Sequence, residues 1–267
     1  MKNSQQNSSQ NSHQNLQQND SPLFDVRIGK VTHQWAQTQK IKSYFSEKIE
    51  STNNQAKLDA FSEDALGENL ILYITDQQTA GRGRGQNTWS QAALGSQLLS
   101  TWSVMMEEVP QPTLSPQIGF ALYRAALATW PFLDWNLKAP NDLYLGSKKI
   151  AGLLLETISQ GDDIRLLIGL GFNVIAAPQD VTTATCLIDE LPPNTPLLAE
   201  DWLSFLERLL FEFVFAIQLA HEPLNSTTQT GLLHALNQHP LLKEKYLLVD
   251  KHANLKTTSQ SIAWSQL

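Results

Sequence analysis

With 267 residues, 42% of them hydrophobic, the chain has material for one good-sized core and a small appendage. A formal charge of -7 argues against a non-specific nucleic-acid binder, whose affinity depends on neutralising phosphates. The one cysteine, Cys186, excludes an intrachain disulfide and suits a reducing compartment. There is no signal-type apolar run near the N-terminus, and the most apolar stretch, 209–220, is too short for a bilayer and carries Glu212. The expectation is a cytoplasmic protein that contacts neither membrane nor DNA.

Residues 1–21 contain 16 Asn, Gln or Ser and read as a disordered tail without apolar surface to bury. Residues 22–43 give no motif and are expected to be a linker or irregular lead-in, with the main globular unit running over 44–239. Thr52 and Gln55 stand in capping-box register, Ser51 is an equally good N-cap, and a helix is predicted to about Phe61. Leu70–Thr75 reads as a buried strand and 98–105 as another, with the glycine-rich run 79–89 between them. Ser115-Pro116 signals the start of a helix that ends before Pro131. A β-rich stretch follows: 135–138, 143–145, 149–156 and 165–174, with Gly146-Ser147 as a hairpin loop and a second turn at Gly161-Asp-Asp163. Trp202, Phe205, Leu206, Leu209, Leu210, Phe213 and Ile217 mark a long amphipathic helix. Residues 240–267 read as a short C-terminal extension with one hairpin, around 246–249. Helices on one mixed, mainly antiparallel sheet make the fold class α+β.

Two stretches carry chemistry. Thr79-Ala-Gly-Arg-Gly-Arg-Gly-Gln-Asn-Thr-Trp89 sets Arg82 and Arg84 among glycines, which let backbone approach a ligand, while arginine pairs with phosphate or carboxylate through two parallel hydrogen bonds. It lacks the third glycine of a dinucleotide loop, and no Walker-type phosphate loop occurs. The second stretch, Lys138-Ala-Pro-Asn-Asp142 followed by Lys149-Ile-Ala-Gly152, puts a cation at the end of a strand. The six histidines form no metal pattern, and no Gly-x-Ser-x-Gly nucleophile elbow is present.

These stretches, with Ser51-Thr52-Asn53 upstream and Leu167-Ile-Gly-Leu-Gly-Phe-Asn173 downstream, resemble the catalytic domain of biotin protein ligases over about residues 44–219. The resemblance implies a class II synthetase-like fold and a two-step reaction. ATP activates biotin to biotinoyl-5′-AMP, and a lysine of a biotin carboxyl carrier domain, as in acetyl-CoA carboxylase, then takes the biotinoyl group. It implies that Ser51, Thr52, Asn53, Gln78, Arg82, Gly83, Arg84, Lys138 and Gly152 meet biotin. Arg82, Arg84, Trp89, Lys138 and Asn173 would meet ATP or the adenylate, with Lys138 and Arg84 catalytic. Mg²⁺ is expected to ride on the phosphates, with no metal site of the protein's own.

Each residue also has a plainer reading: Ser51 or Thr52 as helix cap, Gln78 as a loop amide, Trp89 as core, Gly152 as a packing glycine, Lys138 as a solvated strand-end lysine. The chain departs from the family pattern at Gly85-Gln86-Asn87, where many bacterial members continue Arg-Gly-Arg, and at Ala139, where tryptophan is common. Neither an N-terminal winged helix nor an SH3-like C-terminal barrel is recognisable. The rival readings are a lipoate or octanoyl transferase of the same fold and a catalytically silent sensor of biotinoyl-adenylate.

Overall fold

The computed structural model describes residues 26–267, so the expectation for the tail 1–21 lies outside the described residues. Its centre is a seven-stranded sheet in the order β1-β2-β3-β7-β6-β5-β4, built from β1 (Lys42–Ser46), β2 (Leu70–Thr75), β3 (Gln97–Met106), β4 (Trp135–Lys138), β5 (Asp142–Leu145), β6 (Lys148–Gln160) and β7 (Asp163–Asn173). Only β1 and β2 run parallel; every other pairing is antiparallel. The α+β assignment with a mixed, mainly antiparallel sheet therefore holds. Gly146, at φ +53°, and Gly161, at φ +61°, occupy the tight turns that join β5 to β6 and β6 to β7.

The helices are α1 (Ile28–Thr38), α2 (Thr52–Asp59), the short α3 (Glu63–Leu66), α4 (Leu114–Thr129), the short α5 (Leu187–Glu190), α6 (Ala199–Gln218) and α7 (Ser226–Asn237). On α6, Trp202, Phe205, Leu206, Leu209, Phe213 and Ala216 are buried at three- and four-residue spacing, the stripe the sequence predicts. They meet α4 and the sheet in the main core, where Trp130, Trp135, Phe172, Trp202 and Phe205 form a run of aromatic contacts with centroids 5.1–6.5 Å apart. α4 starts at Leu114 with Thr113 as N-cap, earlier than the Ser115-Pro116 signal suggests.

The other face of the sheet carries α2 and α3 over a smaller cluster of Ala56, Ala65, Ile71, Tyr73 and Leu167. Arg165, fully buried on β7, ties this layer down: its guanidinium donates to the carbonyls of Ala60, Ala65, Glu68 and Ser103. Ala60, Ala65 and Glu68 lie around the ends of α2 and α3, where helix carbonyls lack partners of their own, and Ser103 is on the neighbouring strand β3.

Two expectations need correction. The lead-in 22–43 is not irregular where it is described: 28–38 is α1, with Ile28, Thr32, Trp35 and Ala36 buried, and β1 begins at Lys42. The C-terminal segment is more than one hairpin. β8 (Leu248–Val249), β9 (Leu255–Lys256) and β10 (Ser261–Ile262) form a small antiparallel sheet, and a 3₁₀ turn at Trp264–Gln266 buries Trp264. Very short strands and an isolated 3₁₀ turn leave too little periodicity to read. Among the described residues, no helix is long and apolar enough to cross a membrane.

Candidate functional site

The antiparallel register decides what meets at the α2 side of the sheet. Gly152 on β6 opposes Gly171 on β7, Leu154 opposes Gly169, and Gly169 opposes Thr101 on β3. Glycines at alternate positions of β7 thus leave a groove without side chains. Two side chains from outside the sheet lie in it. A Cβ at Gly169 would collide with the Asn53 amide, and one at Gly171 would lie 2.5 Å from Trp89 Cε2. Trp89 also lies over Gly152, whose Cβ would come 3.0 Å from its ring.

The N-terminus of α2 forms one wall. Ser51 is the N-cap, its hydroxyl accepting from the Asn54 N–H at 3.5 Å. Thr52 is therefore inside the helix, and its N–H (2.8 Å) and hydroxyl (3.2 Å) both donate to Gln78 Oε1. Gln55 turns forward to Asp59 instead of completing a capping box. Thr101 Oγ1 lies within hydrogen-bond reach of Thr52 Oγ1 (2.8 Å) and Asn53 Oδ1.

The glycine run forms the opposite wall as a tight turn. Gly83 N–H donates to Asn87 O at 2.8 Å, Trp89 N–H to Gly81 O at 2.9 Å, and Gly85 takes φ +66°. Arg82 points down to Glu156 on β6 in a two-bond pair, both contacts at 3.0 Å. The same carboxylate accepts from Lys57 (2.7 Å) and Asn53 (3.0 Å). Burial pushes the Glu156 carboxyl up, but the hydrogen bonds from Lys57, Asn53 and Arg82 outweigh it and leave its pKa below the ordinary glutamate value. Arg84 reaches the C-terminal turn, donating to the carbonyls of Ser265 (3.1 Å) and Leu267.

These walls enclose a cavity of about 130 Å³. Nine of the residues named from sequence line it: Ser51, Thr52, Asn53, Gln78, Arg82, Gly83, Arg84, Trp89 and Gly152. The structure does not bring the other two to the lining. Lys138, at the end of β4, is exposed, with its ammonium 5.6 Å from the Tyr144 ring centre. Asn173 is buried and fully engaged, accepting from Gln97 at 2.7 Å and donating to Thr185 O at 2.9 Å. Sequence reasoning missed Glu156, Thr101 and the floor glycines 169 and 171 as site components. Strand alternation from Gly152 through Leu154 to Glu156 was the available signal for the carboxylate, and the Gly-Leu-Gly spacing was the signal for the floor. Among the described residues, no three His, Cys, Asp or Glu cluster as a metal site.

Residues 45–173 match the model of the biotin/lipoate A/B protein ligase family. Over this segment the chain is similar to that family. The match runs from β1 to the end of β7 and contains all nine cavity-lining candidates. The chain is 33% identical over 139 residues to a biotin–[acetyl-CoA-carboxylase] ligase of Mycobacterium tuberculosis, covering 49% of this chain and 50% of that protein. It is 32% identical over 113 residues to the bifunctional ligase/repressor BirA of Bacillus subtilis, covering 41% and 34%. The alignments thus span a third to a half of these relatives. Among solved structures, the biotin protein ligase from Aquifex aeolicus in complex with biotin and ATP superposes with a TM-score of 0.63 at 19% identity, over 83% of this chain and 95% of that one. The protein from Leishmania major in complex with biotinyl-5-AMP gives 0.56 at 23%, over 81% and 94%. Both share the fold.

Proposed function

We propose that this domain activates biotin with ATP to biotinoyl-5′-AMP and transfers the biotinoyl group to a lysine of a biotin carboxyl carrier domain. The observation that carries the reading is the cavity itself. A glycine floor, a helix N-terminus rich in hydroxyls and amides, and an arginine-bearing turn converge there within the family segment. A flat bicyclic ligand suits a floor from which side chains are absent, and a ureido ring needs the donors and acceptors that Ser51, Thr52, Asn53 and Gln78 supply. The named activities of the relatives support the same choice.

In the first step a biotin carboxylate oxygen bonds to the α-phosphorus as the bond to the β-phosphate bridge breaks, and pyrophosphate leaves. Two anions meet, so cations must offset their repulsion and the charge that develops on the phosphate. Lys138 and Arg84 are assigned that work, with Mg²⁺ travelling on the phosphates. From its place beside Tyr144, Lys138 must swing toward the cavity to reach the reacting atoms. Arg84 must leave the Ser265 and Leu267 carbonyls. Arg82, paired with Glu156, holds the turn to β6, and Trp89 offers its face to the base or the biotin ring. In the second step the neutral carrier lysine attacks the acyl carbon, AMP leaves, and the amine proton passes to solvent or to the phosphate.

Biotin-dependent exchange of label between pyrophosphate and ATP tests the reading without any carrier. The expected result is exchange with biotin and none with lipoate or octanoate. Exchange with those acids would indicate the related transferase, and no exchange with any acid would leave a binding protein.

A further inference from the structure

We propose that a second cavity, between the β4–β5 edge of the sheet and the segment that follows α7, binds the phosphate group of a small organic phosphate monoester. This cavity shares no lining residue with the site described above, and the inference stands whether or not the domain activates biotin.

Pro240 follows His239 and cannot continue α7, so the chain turns back along β4 and β5. Asn237 fixes that return: its side-chain N–H donates to Tyr246 O at 2.8 Å, and its side-chain carbonyl accepts from Tyr246 N–H at 2.9 Å. The space enclosed is about 290 Å³. Leu137, Leu236 and Leu242 give it an apolar floor. Lys138, Lys243 and His239 bring nitrogens to it, and Ser147 and Thr183 bring hydroxyls. Although the chain has a net charge of -7, no carboxylate lines this cavity. The acids beside its lysines are committed elsewhere. Asp142, opposite Lys138 in the ladder, is taken by Lys149, and Glu244, next to Lys243, by Thr258 and Ser259. Lys138 and Lys243 are left without a carboxylate partner among the described residues.

His239 is the buried member of the set, 5% exposed. Asn136 donates through Nδ2 to Gly146 O at 2.8 Å, so its Oδ1 is free to accept, and it accepts from His239 Nδ1 at 2.8 Å. That bond places the proton on Nδ1. It leaves Nε2, which has no partner among the described residues, as the atom His239 offers the cavity. A buried polar atom left open in a cavity wall is one that a ligand completes. The groups facing the ring are Lys138 on β4, Tyr144 on β5 with ring centres 4.7 Å apart, and Lys243 and Tyr246 after α7. Burial, and then the Lys138 charge, hold the imidazole below its ordinary value of 6.5. An arriving dianion offsets the Lys138 charge, so Nε2 takes a proton and donates to the phosphate beside the two ammoniums. Three donors from separate elements match the several oxygens and near-double charge of a phosphate group better than the single charge of a carboxylate. The leucine floor below them suits an apolar body on the ester side.

The test follows the His239 ring by proton NMR in the full chain, its signal assigned by its absence from His239→Gln. Phenyl phosphate should raise the His239 pKa by about one unit or more, as an opposite charge in contact does. Inorganic phosphate should act in the same direction but bind more weakly, because it has no body for the leucine floor. Phenol, with the body and no charge, should leave the pKa where it is. Lys243→Gln, an exposed position, should need about tenfold more phenyl phosphate for the same shift and keep the wild-type thermal midpoint. If His239→Gln does not fold, calorimetric titration of phenyl phosphate into wild type and Lys243→Gln replaces the spectrum, with the same tenfold loss expected. A His239 pKa unmoved by either phosphate overturns the site, and so does equal affinity in wild type and Lys243→Gln. Inorganic phosphate binding as tightly as phenyl phosphate overturns the ester as its ligand.

Discussion

Glu156 is a single carboxylate that holds three elements together: Lys57 and Asn53 from α2, Arg82 from the glycine turn, and β6 on which it sits. Its pKa is depressed in the folded state, so its contribution to stability is fully present above the ordinary value of 4.5 and is lost as pH falls through the folded value. Glu156→Gln should therefore lower the thermal midpoint at pH 7, and the gap from wild type should close as the pH is taken well below 4.5. A gap that stays constant through that acid range would show that the carboxylate's charge contributes nothing. Arg84 differs in kind, because its partners are carbonyls at the surface that it can exchange for phosphate. In the proposed function it helps retain a reactive mixed anhydride. A hydrogen bond to a charged group is worth about 1.5–3 kcal/mol, so Arg84→Gly should release adenylate roughly tenfold to a hundredfold faster. The readout is biotin incorporation into serum albumin. Labelling equal to wild type by a variant that still forms adenylate would take retention away from Arg84.

At the scale of elements, the site depends on β7 presenting glycine at 169 and 171 and on a bulge in β6 at Ile150, where Leu143 opposes Ala151 but Tyr144 opposes Lys149. Gly171→Ala places a methyl group 2.5 Å from the Trp89 ring, so the ring must leave the floor. Overpacking of this kind costs about 1–3 kcal/mol. The proposed function predicts a rise in the KM for biotin larger than any fall in kcat; an unchanged KM would mean that Trp89 does not shape the biotin site. Arg165 supports the same region from beneath. Its replacement by Met removes a donor from the carbonyls of Ala60, Ala65 and Glu68 around α2 and α3 and of Ser103 on β3, at about 1–3 kcal/mol for each group left unpaired. The expected outcome is a loss of at least ~3 kcal/mol in urea unfolding. A loss under about 1 kcal/mol would mean that water or rearranged backbone serves those carbonyls equally well.

For the whole molecule, the net charge of -7 bears on whether this chain shares the repressor half of the bifunctional relatives. Attraction to DNA comes mainly from cations that displace phosphate counterions, and an acidic surface opposes it. The prediction is no sequence-specific gel shift that survives about 200 mM salt. Such a shift, abolished by a scrambled duplex, would overturn it. The C-terminal sheet is tied to the domain by Trp264, which is buried, and by the Arg84 contacts, so it belongs to the surroundings of the site.

The sequence by itself determined the pieces that depend on local order: the strands 70–75 and 135–138, the α6 stripe, the two-residue turns, and the arginine-glycine run with its flanking hydroxyl and amide residues. Period and turn chemistry are properties of neighbours along the chain, so they are legible there. β1 was not, because it is five residues of mixed character at a sheet edge; α1 does carry a helical stripe, Ile28, Thr32, Trp35 and Ala36, but a stripe with a threonine in it and no side-chain cap is easily passed over. Only the tertiary structure decided which residues share the cavity. The β3-β7-β6 register set Gly152 against Gly171 and brought Glu156 under Arg82, 74 residues away in the chain. One extra residue at Ile150 turned Lys149 inward, while Asn173 was committed to Gln97 and Thr185. A strand's faces alternate with every residue, so a single bulge or a shift of register reassigns a side chain between core, solvent and site, and that choice is made by pairing between distant segments.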